Sequence, residues 1–371
     1  MKIIADKNIP FLKGIAESFG EVIYLPGQDF TKENIKDADT LIVRTVAHFG
    51  RENLEGSAVK LICSATIGYD HIDTEYCETH GITWKNAPGS NSGSVQQYIA
   101  SALILIARKK GFALRGKTLG IVGVGNVGKK VAYIAELLGM RILKNDPPRQ
   151  EAEQSDEFVD IETIKQEADI ITFHTPLNKE GKYATYHLAG EYFFRSLGKK
   201  PIIINSARGG IIDTSAIKNA IKNNLISGAV IDCWENEPAI DREYMQMADF
   251  ATPHIAGYSA DGKANASRMS LQSLADYWKL SSDPIEEIIV PEVENRVIDY
   301  SAIKSSEKIE EIILKTYDLR TDHIRLITDP SLFSSLRGNY PLRREYPAYV
   351  VKNIDNQSDK AVLDSLGFGV E

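Results

Sequence analysis

The chain has 371 residues, more than one ordinary hydrophobic core holds, so two or three domains are expected. It is 43% hydrophobic and 25% charged with a net charge of −8, a globular balance that argues against nucleic acid, whose proteins carry a basic face. Cys63, Cys77 and Cys233 lack disulfide or metal-ligand spacing, and Asp6 and Lys7 stand where a signal peptide needs apolar residues. A reducing, cytoplasmic setting with no metal and no membrane contact is the expectation.

In chain order, short apolar runs come first: KIIA at 2–5, VIYL at 22–25, TLIV at 40–43 and LICSA at 61–65, each followed by polar or helical sequence such as Asn8 to Phe19. Strands alternating with helices predict a parallel, doubly wound sheet. After the Pro88-Gly89 break, Ser94-Val95-Gln96-Gln97 fits a capping box opening a long helix to Lys110, with Gly111 near its end. A second alternating series runs TLGIV at 118–122, RILKN at 141–145, DIITFH at 169–174, PIIIN at 201–205 and GAVID at 228–232, predicting a second α/β unit. Residues 281–371 change character. Pro284 and Pro291 bracket a connector, helical spacing follows from Ile309 to Tyr317, and the segment reads as a small separate α+β module.

Within TLGIVGVGNVG, Gly123-x-Gly125-x-x-Gly128 lies between a predicted strand and a predicted helix. In that setting Gly123 permits a tight turn, Gly125 lets a pyrophosphate approach the backbone, and Gly128 allows close helix–sheet packing. The helix N-terminus offers free N–H groups and a positive dipole end to the phosphates. Asp146 closes the next strand, where a carboxylate accepts from ribose hydroxyls and repels a 2′-phosphate, so NAD is expected rather than NADP.

Three further side chains fall in loops after later strands: Arg208 in NSARGGIID, Glu237 in DCWENEP and His254 in ATPHIAGYS. Singly, each has an ordinary reading as a surface or structural residue. Together they supply what oxidation of a small, anionic 2-hydroxy acid needs. A histidine takes the hydroxyl proton, an arginine fork holds the carboxylate, and a carboxylate orients and charges the imidazole.

The stretches GIVGVGNVGKKV, ADIITFHTPL, INSARGGIIDTSAI, DCWENEP and TPHIAGYS resemble the D-isomer-specific 2-hydroxyacid dehydrogenase family. That resemblance implies a Rossmann-type NAD domain at 91–255. It implies a flavodoxin-like substrate (lid) domain at 1–90 and 256–280, and a homodimer through 281–371. It assigns Arg208, Glu237 and His254 to catalysis, and Asn126, Val127, Asp146, Thr175, Asp232 and Gly257 to the surroundings of NAD; Ser206, standing where cysteine or alanine is common, is placed beside them. Thr45, Thr66 and Tyr258 are assigned to the substrate.

Four segments narrow the likeness to one member acting on a phosphorylated acid: NDPPR at 145–149, GKYATYHL at 181–188, HIAGYSADGKA at 254–264 and NYPLRREY at 339–346. For the substrate phosphate, Arg44 and the Arg343-Arg344 pair are the candidates. Another hydroxyacid dehydrogenase and a non-catalytic NAD sensor are the rival expectations.

Overall fold

A computed structural model describes residues 1–371, which form two compact units. The first comprises residues 1–91 and 259–292. Its strands are β1 (Lys2–Asp6), β2 (Glu21–Leu25), β3 (Thr40–Val43), β4 (Leu61–Ser64) and β5 (Thr83–Lys85), all parallel in the order β2-β1-β3-β4-β5. This is the flavodoxin-like order. β3 and β4 are buried at every position, the mark of a parallel sheet covered on both faces. Helix Ala260–Trp278 covers one face, its Ala264, Leu271 and Leu274 packing with Ile3, Ile42 and Leu61.

The second unit comprises residues 92–258 and 293–371. Its main sheet uses β6 (Thr118–Val122), β7 (Arg141–Asn145), β8 (Ile170–Phe173), β9 (Ile202–Asn205), β10 (Gly228–Ile231) and β11 (Phe250–Ala251), all parallel in the order β11-β10-β9-β8-β6-β7. A single parallel bridge between Lys144 and Phe158 adds a vestigial strand beyond β7. With it the order matches the dinucleotide-binding pattern, whose reversal point lies between β6 and β8.

Helix Ser92–Lys110 is buried from Ser92 through Ala107. Its Tyr98, Ile99, Leu103 and Ile106 form one core with Ile121 and Ile134, and with Ile312, Ile313, Val351 and Leu363 of the C-terminal segment. Each such aliphatic side chain contributes about 1.5–3 kcal/mol. The C-terminal segment has its own parallel sheet, β12 (Val297–Asp299), β13 (Val350–Lys352) and β14 (Gly369–Val370), in sequence order. Residues 281–292 belong to the first unit and 293–371 to the second.

Two local expectations are corrected. The spacing Ile9, Leu12, Ala16, Phe19 mimics a helix and all four are buried, yet Phe11 (φ 61°) and Gly14 (φ 93°) are left-handed and only a 3-10 turn forms at Ala16–Ser18. Pro10 supplies a further break. The capping box at Ser94 is not used, because the helix already starts at Ser92. Ser94 Oγ instead donates to Ala256 O (2.9 Å), and Gln97 Nε2 to Thr316 Oγ1 and Arg344 O (both 3.0 Å). Tertiary partners took the side chains that local capping would have used.

Candidate active site

Because every strand of the main sheet runs parallel, the loops after β6 to β11 open on one carboxyl edge. Gly123 follows β6, Asp146 follows β7, Thr175 β8, Ser206 and Arg208 β9, Asp232 and Glu237 β10, and His254 β11. Ligands of open α/β sheets bind at this edge, next to the switch point.

At the cofactor loop, Gly123 has φ +91°, and a Cβ there would stand 2.7 Å from the His174 carbonyl carbon. A Cβ on Gly128 would collide with Gly123 O, while one on Gly125 would meet nothing within 4 Å. The two outer glycines are therefore required by packing, and the middle one leaves open space. Helix Asn126–Leu137 begins there with no side-chain cap, so its first N–H groups are unclaimed. Thr175 Oγ1 and Ser206 Oγ are buried with no hydrogen-bond partner. Such orphaned hydroxyls on a ligand edge fit a polar cofactor.

Asp146 accepts from Val124 N (2.8 Å) and Arg149 N (3.2 Å), which fixes its carboxylate beside the glycine loop. Arg149 donates to Val124 O (2.7 Å) and is paired with Glu153 and Glu157. His174, next to Thr175, is held neutral, burial pushing its pKa down to about 3.

The acid–base pair is closed by direct contact. His254 Nδ1 lies 2.7 Å from Glu237 Oε2, and Glu237 Oε1 accepts from Trp234 N at 2.8 Å. Burial works to raise the Glu237 pKa, but the hydrogen bond and charge of His254, the Trp234 N–H and the charge of Arg337 outweigh it and hold the carboxyl below its usual range. His254 itself is left-handed (φ 55°), an uncommon state for a residue with a Cβ.

Asp232 shows what holds it there. Fully buried, it accepts from Thr252 Oγ1 (2.6 Å), Ile255 N (2.8 Å) and Ala256 N (2.9 Å), while its own carbonyl accepts from His254 N (2.8 Å). Burial raises the Asp232 pKa, countered by the His254 charge and these donors. Trp234 Nε1 donates to Thr252 O (2.9 Å) and Tyr98 OH pairs with Thr252 Oγ1 (2.8 Å), tying the loops after β10 and β11 together.

Cys233 stands against this pair, and ligand atoms of Cys233, Glu237 and His254 all lie within 4.8 Å of one another. The thiol is buried, and burial with the charges of Asp232 and Glu237 pushes it well above its ordinary pKa. It stands beside the pair as a buried neutral thiol.

Arg208 lies in extended backbone opening the turn Gly209–Ile211. Its carbonyl accepts from Asn205 Nδ2 (2.9 Å) and its Nη1 donates to Ala207 O (2.8 Å). A Cβ on Gly209 would overlap Trp234 O, so the Arg208 turn packs directly on the Glu237 loop.

In the first unit, Arg44 and the exposed Thr45 follow β3, and Thr66 follows β4, on that sheet's carboxyl edge. Arg44 is bound through Nε (3.0 Å) and Nη2 (3.1 Å) to the buried Asp6. Thr66 Oγ1 donates to Gly68 O (2.9 Å).

In the second unit Tyr258 packs edge-on against Tyr340. Arg343 is only 5% exposed, donates to Gln97 Oε1 (2.8 Å) and Ile255 O (3.3 Å), and stacks 3.8 Å from the Tyr317 ring centroid. It is a strut inside the chain, and its burial removes it from a phosphate role in the monomer. Arg344 is half-buried beside it. Sequence reasoning missed Arg337, whose Nη1 lies 3.8 Å from Glu237 Oε2. It also missed the Trp234–Thr252 bond. Arg337 had a faint signal: Phe333, Leu336 and Arg337 share one face at i, i+3, i+4.

The profile described as the D-isomer specific 2-hydroxyacid dehydrogenase NAD binding domain matches residues 97–256, and one described as a domain of unknown function matches 289–367. The solved, NAD+-bound 3-phosphoglycerate dehydrogenase of Entamoeba histolytica is similar with a TM-score of 0.64 and 29% identity, over 75% of this chain and 95% of that one. Fold, glycine loop and match define an NAD-dependent dehydrogenase with a Rossmann-type domain.

The erythronate-4-phosphate dehydrogenase of Bacteroides thetaiotaomicron is 53% identical over 95% of this chain and 100% of its own length. That of Porphyromonas gingivalis is 42% identical over 99% and 100%. The chain belongs to the erythronate-4-phosphate dehydrogenase family, within the D-isomer-specific 2-hydroxyacid dehydrogenases. No helix is long and apolar enough to cross a membrane.

Proposed function

We propose that the chain oxidises 4-phospho-D-erythronate at C2 to (R)-3-hydroxy-2-oxo-4-phosphooxybutanoate, a step of pyridoxal 5′-phosphate biosynthesis, in the cytoplasm and as a homodimer. The observation that carries the reading is the His254–Glu237 pair at 2.7 Å on the ligand edge of the NAD domain, in a chain 53% identical to a relative of that name. Exposed Ile324, Ile327, Leu332 and Leu342 support self-association through the C-terminal segment.

Bound NAD supplies the hydride acceptor. Gly123, Gly125, Asn126, Val127 and Gly128 would hold its pyrophosphate, Asp146 would accept from its ribose, and Thr175, Ser206, Asp232 and Gly257 would line the rest of its site. With Nδ1–H donating to Glu237, His254 leaves its Nε2 lone pair to take the C2 hydroxyl proton as the C2–H bond breaks. The Glu237 carboxylate, kept ionised by its donors, stabilises the imidazolium that forms. Arg208 holds the carboxylate and draws charge onto the developing carbonyl oxygen. Thr45, Thr66 and Tyr258 contact the substrate, and Arg44, anchored by Asp6, shapes that edge.

The test is NADH formation by purified protein with 4-phospho-D-erythronate, 3-phosphoglycerate and D-lactate, an oxidised acceptor being added in case NADH leaves slowly. Strong preference for the first is expected. Preference for another acid would replace the substrate and keep the chemistry, and NAD binding without turnover on any would make the chain a sensor.

A further inference from the structure

Arg337 belongs to the short helix Phe333–Gly338, which Phe333, buried to 1%, and Leu336 fasten to the core formed by β8, β9 and β10. That anchoring brings its Nη1 to 3.8 Å from Glu237 Oε2 and its guanidinium carbon to 5.6 Å from the Tyr258 ring centroid. The Glu237 contact is too long for a hydrogen bond. The Arg337 Nε–H is buried with no acceptor at all. A buried guanidinium donor left unmade is costly, and beside a catalytic pair it calls for a ligand that completes it.

The other arginines weighed for the phosphate differ on this point. Arg343 is enclosed by Gln97, Ile255 and Tyr317, and Arg44 is held by both oxygens of Asp6. Neither carries a buried, unanswered donor. The proposed substrate has two anionic ends, and Arg208 answers one of them. The phosphate lies two carbons beyond the reacting C2, roughly 5 Å away by bond lengths. Arg337 stands 3.8 Å from Glu237, the partner of the base, which is within that span. A planar guanidinium suits a phosphate, and its charge is retained at any working pH.

We propose that Arg337 holds the substrate's 4-phosphate and sets the preference for phosphorylated over unphosphorylated hydroxyacids; this rests on the reading of function above. Arg337 then contacts substrate directly, and its loose pairing with Glu237 keeps the guanidinium in place before substrate arrives.

The experiment measures kcat and KM for 4-phospho-D-erythronate and for D-erythronate with wild type, Arg337→Gln and Arg337→Lys, and the NAD dissociation constant as a check of folding. Arg337→Gln is expected to raise KM for the phosphorylated acid about 10- to 100-fold, the worth of a charged hydrogen-bonded pair. KM for D-erythronate should move less than about threefold on the same grounds, and Arg337→Lys should recover part of the loss. Equal losses on both acids would overturn the proposal. So would a fall in kcat with a shifted pH profile and unchanged KM, which would make Arg337 a positioning residue for Glu237.

If the Gln variant fails to bind NAD, the Lys variant decides alone: a KM increase confined to the phosphorylated acid supports the proposal, and parallel changes on both acids overturn it. Wild type that does not favour the phosphorylated acid would defeat the substrate reading itself, and this proposal with it. A wild-type preference that survives in Arg337→Gln would defeat this proposal only.

Discussion

Two regions of the same sheet edge are built on opposite plans. Around β10 and β11 nearly every polar group has its partner: Asp232 answers three donors, Glu237 answers two, and Trp234 ties one loop to the other. Around β6, β8 and β9 the chain leaves groups unanswered, namely an uncapped helix start and the hydroxyls of Thr175 and Ser206. The first plan fixes a strained histidine before any ligand arrives. The second keeps its donors for the cofactor. Preorganisation lowers the cost of reaching the transition state, whereas an open edge places the free energy of completion in binding.

Breaking the closed region should cost the most. His254→Ala should lower kcat about 10²- to 10⁴-fold, the usual worth of general base catalysis, and leave the NAD dissociation constant unchanged by titration. Asp232→Ala leaves the Thr252 hydroxyl and two backbone N–H groups buried without acceptors. Urea unfolding should show a loss of about 3 kcal/mol, with kcat falling as the His254 turn relaxes.

Glu237→Gln keeps the shape of the site and removes a charge. Turnover should drop about 10- to 100-fold, in line with loss of a charged hydrogen bond. The folded Glu237 carboxyl is depressed, so its contribution to stability is full above the ordinary glutamate range and is lost as pH falls through the depressed value. Stability curves of wild type and this variant should therefore converge toward acid pH, which chemical unfolding at several pH values will show.

The open region should respond differently. Thr175→Val removes a hydroxyl that lacks a partner, so the free protein should unfold within about 1 kcal/mol of wild type or slightly later. NAD should bind about three- to tenfold more weakly, the worth of one neutral hydrogen bond. A marked loss of stability without ligand would remove the contrast between the regions.

Most of the scaffold was legible in the sequence because buried parallel strands are continuous apolar runs; TLIV, TLGIV and PIIIN became β3, β6 and β9. The short strands β12, β13 and β14 were not, being two or three residues long and only partly buried. Of the two readings of Asn8–Phe19, polar or helical, the helical one does not hold, because helical spacing of buried residues can also be met by a chain of turns.

Arg208 and Glu237 stood out because each falls in a loop after a readable strand, and His254 through its TPHIAGYS motif, since β11 before it is only two residues long. Arg337 did not, since its place beside Glu237 depends on how a six-residue helix docks, which no local pattern encodes. The burial of Arg343 was equally hidden, as adjacent arginines suggest a surface.

The most direct test of the central claim is a single-turnover comparison of wild type and His254→Ala, each saturated with NAD, mixed with 4-phospho-D-erythronate. The account predicts a burst of NADH from wild type, and from the variant the same NAD occupancy with that burst slowed at least about 10²-fold. An undiminished burst from the variant would contradict it, because the proton would then be leaving by a route that the His254–Glu237 pair does not provide.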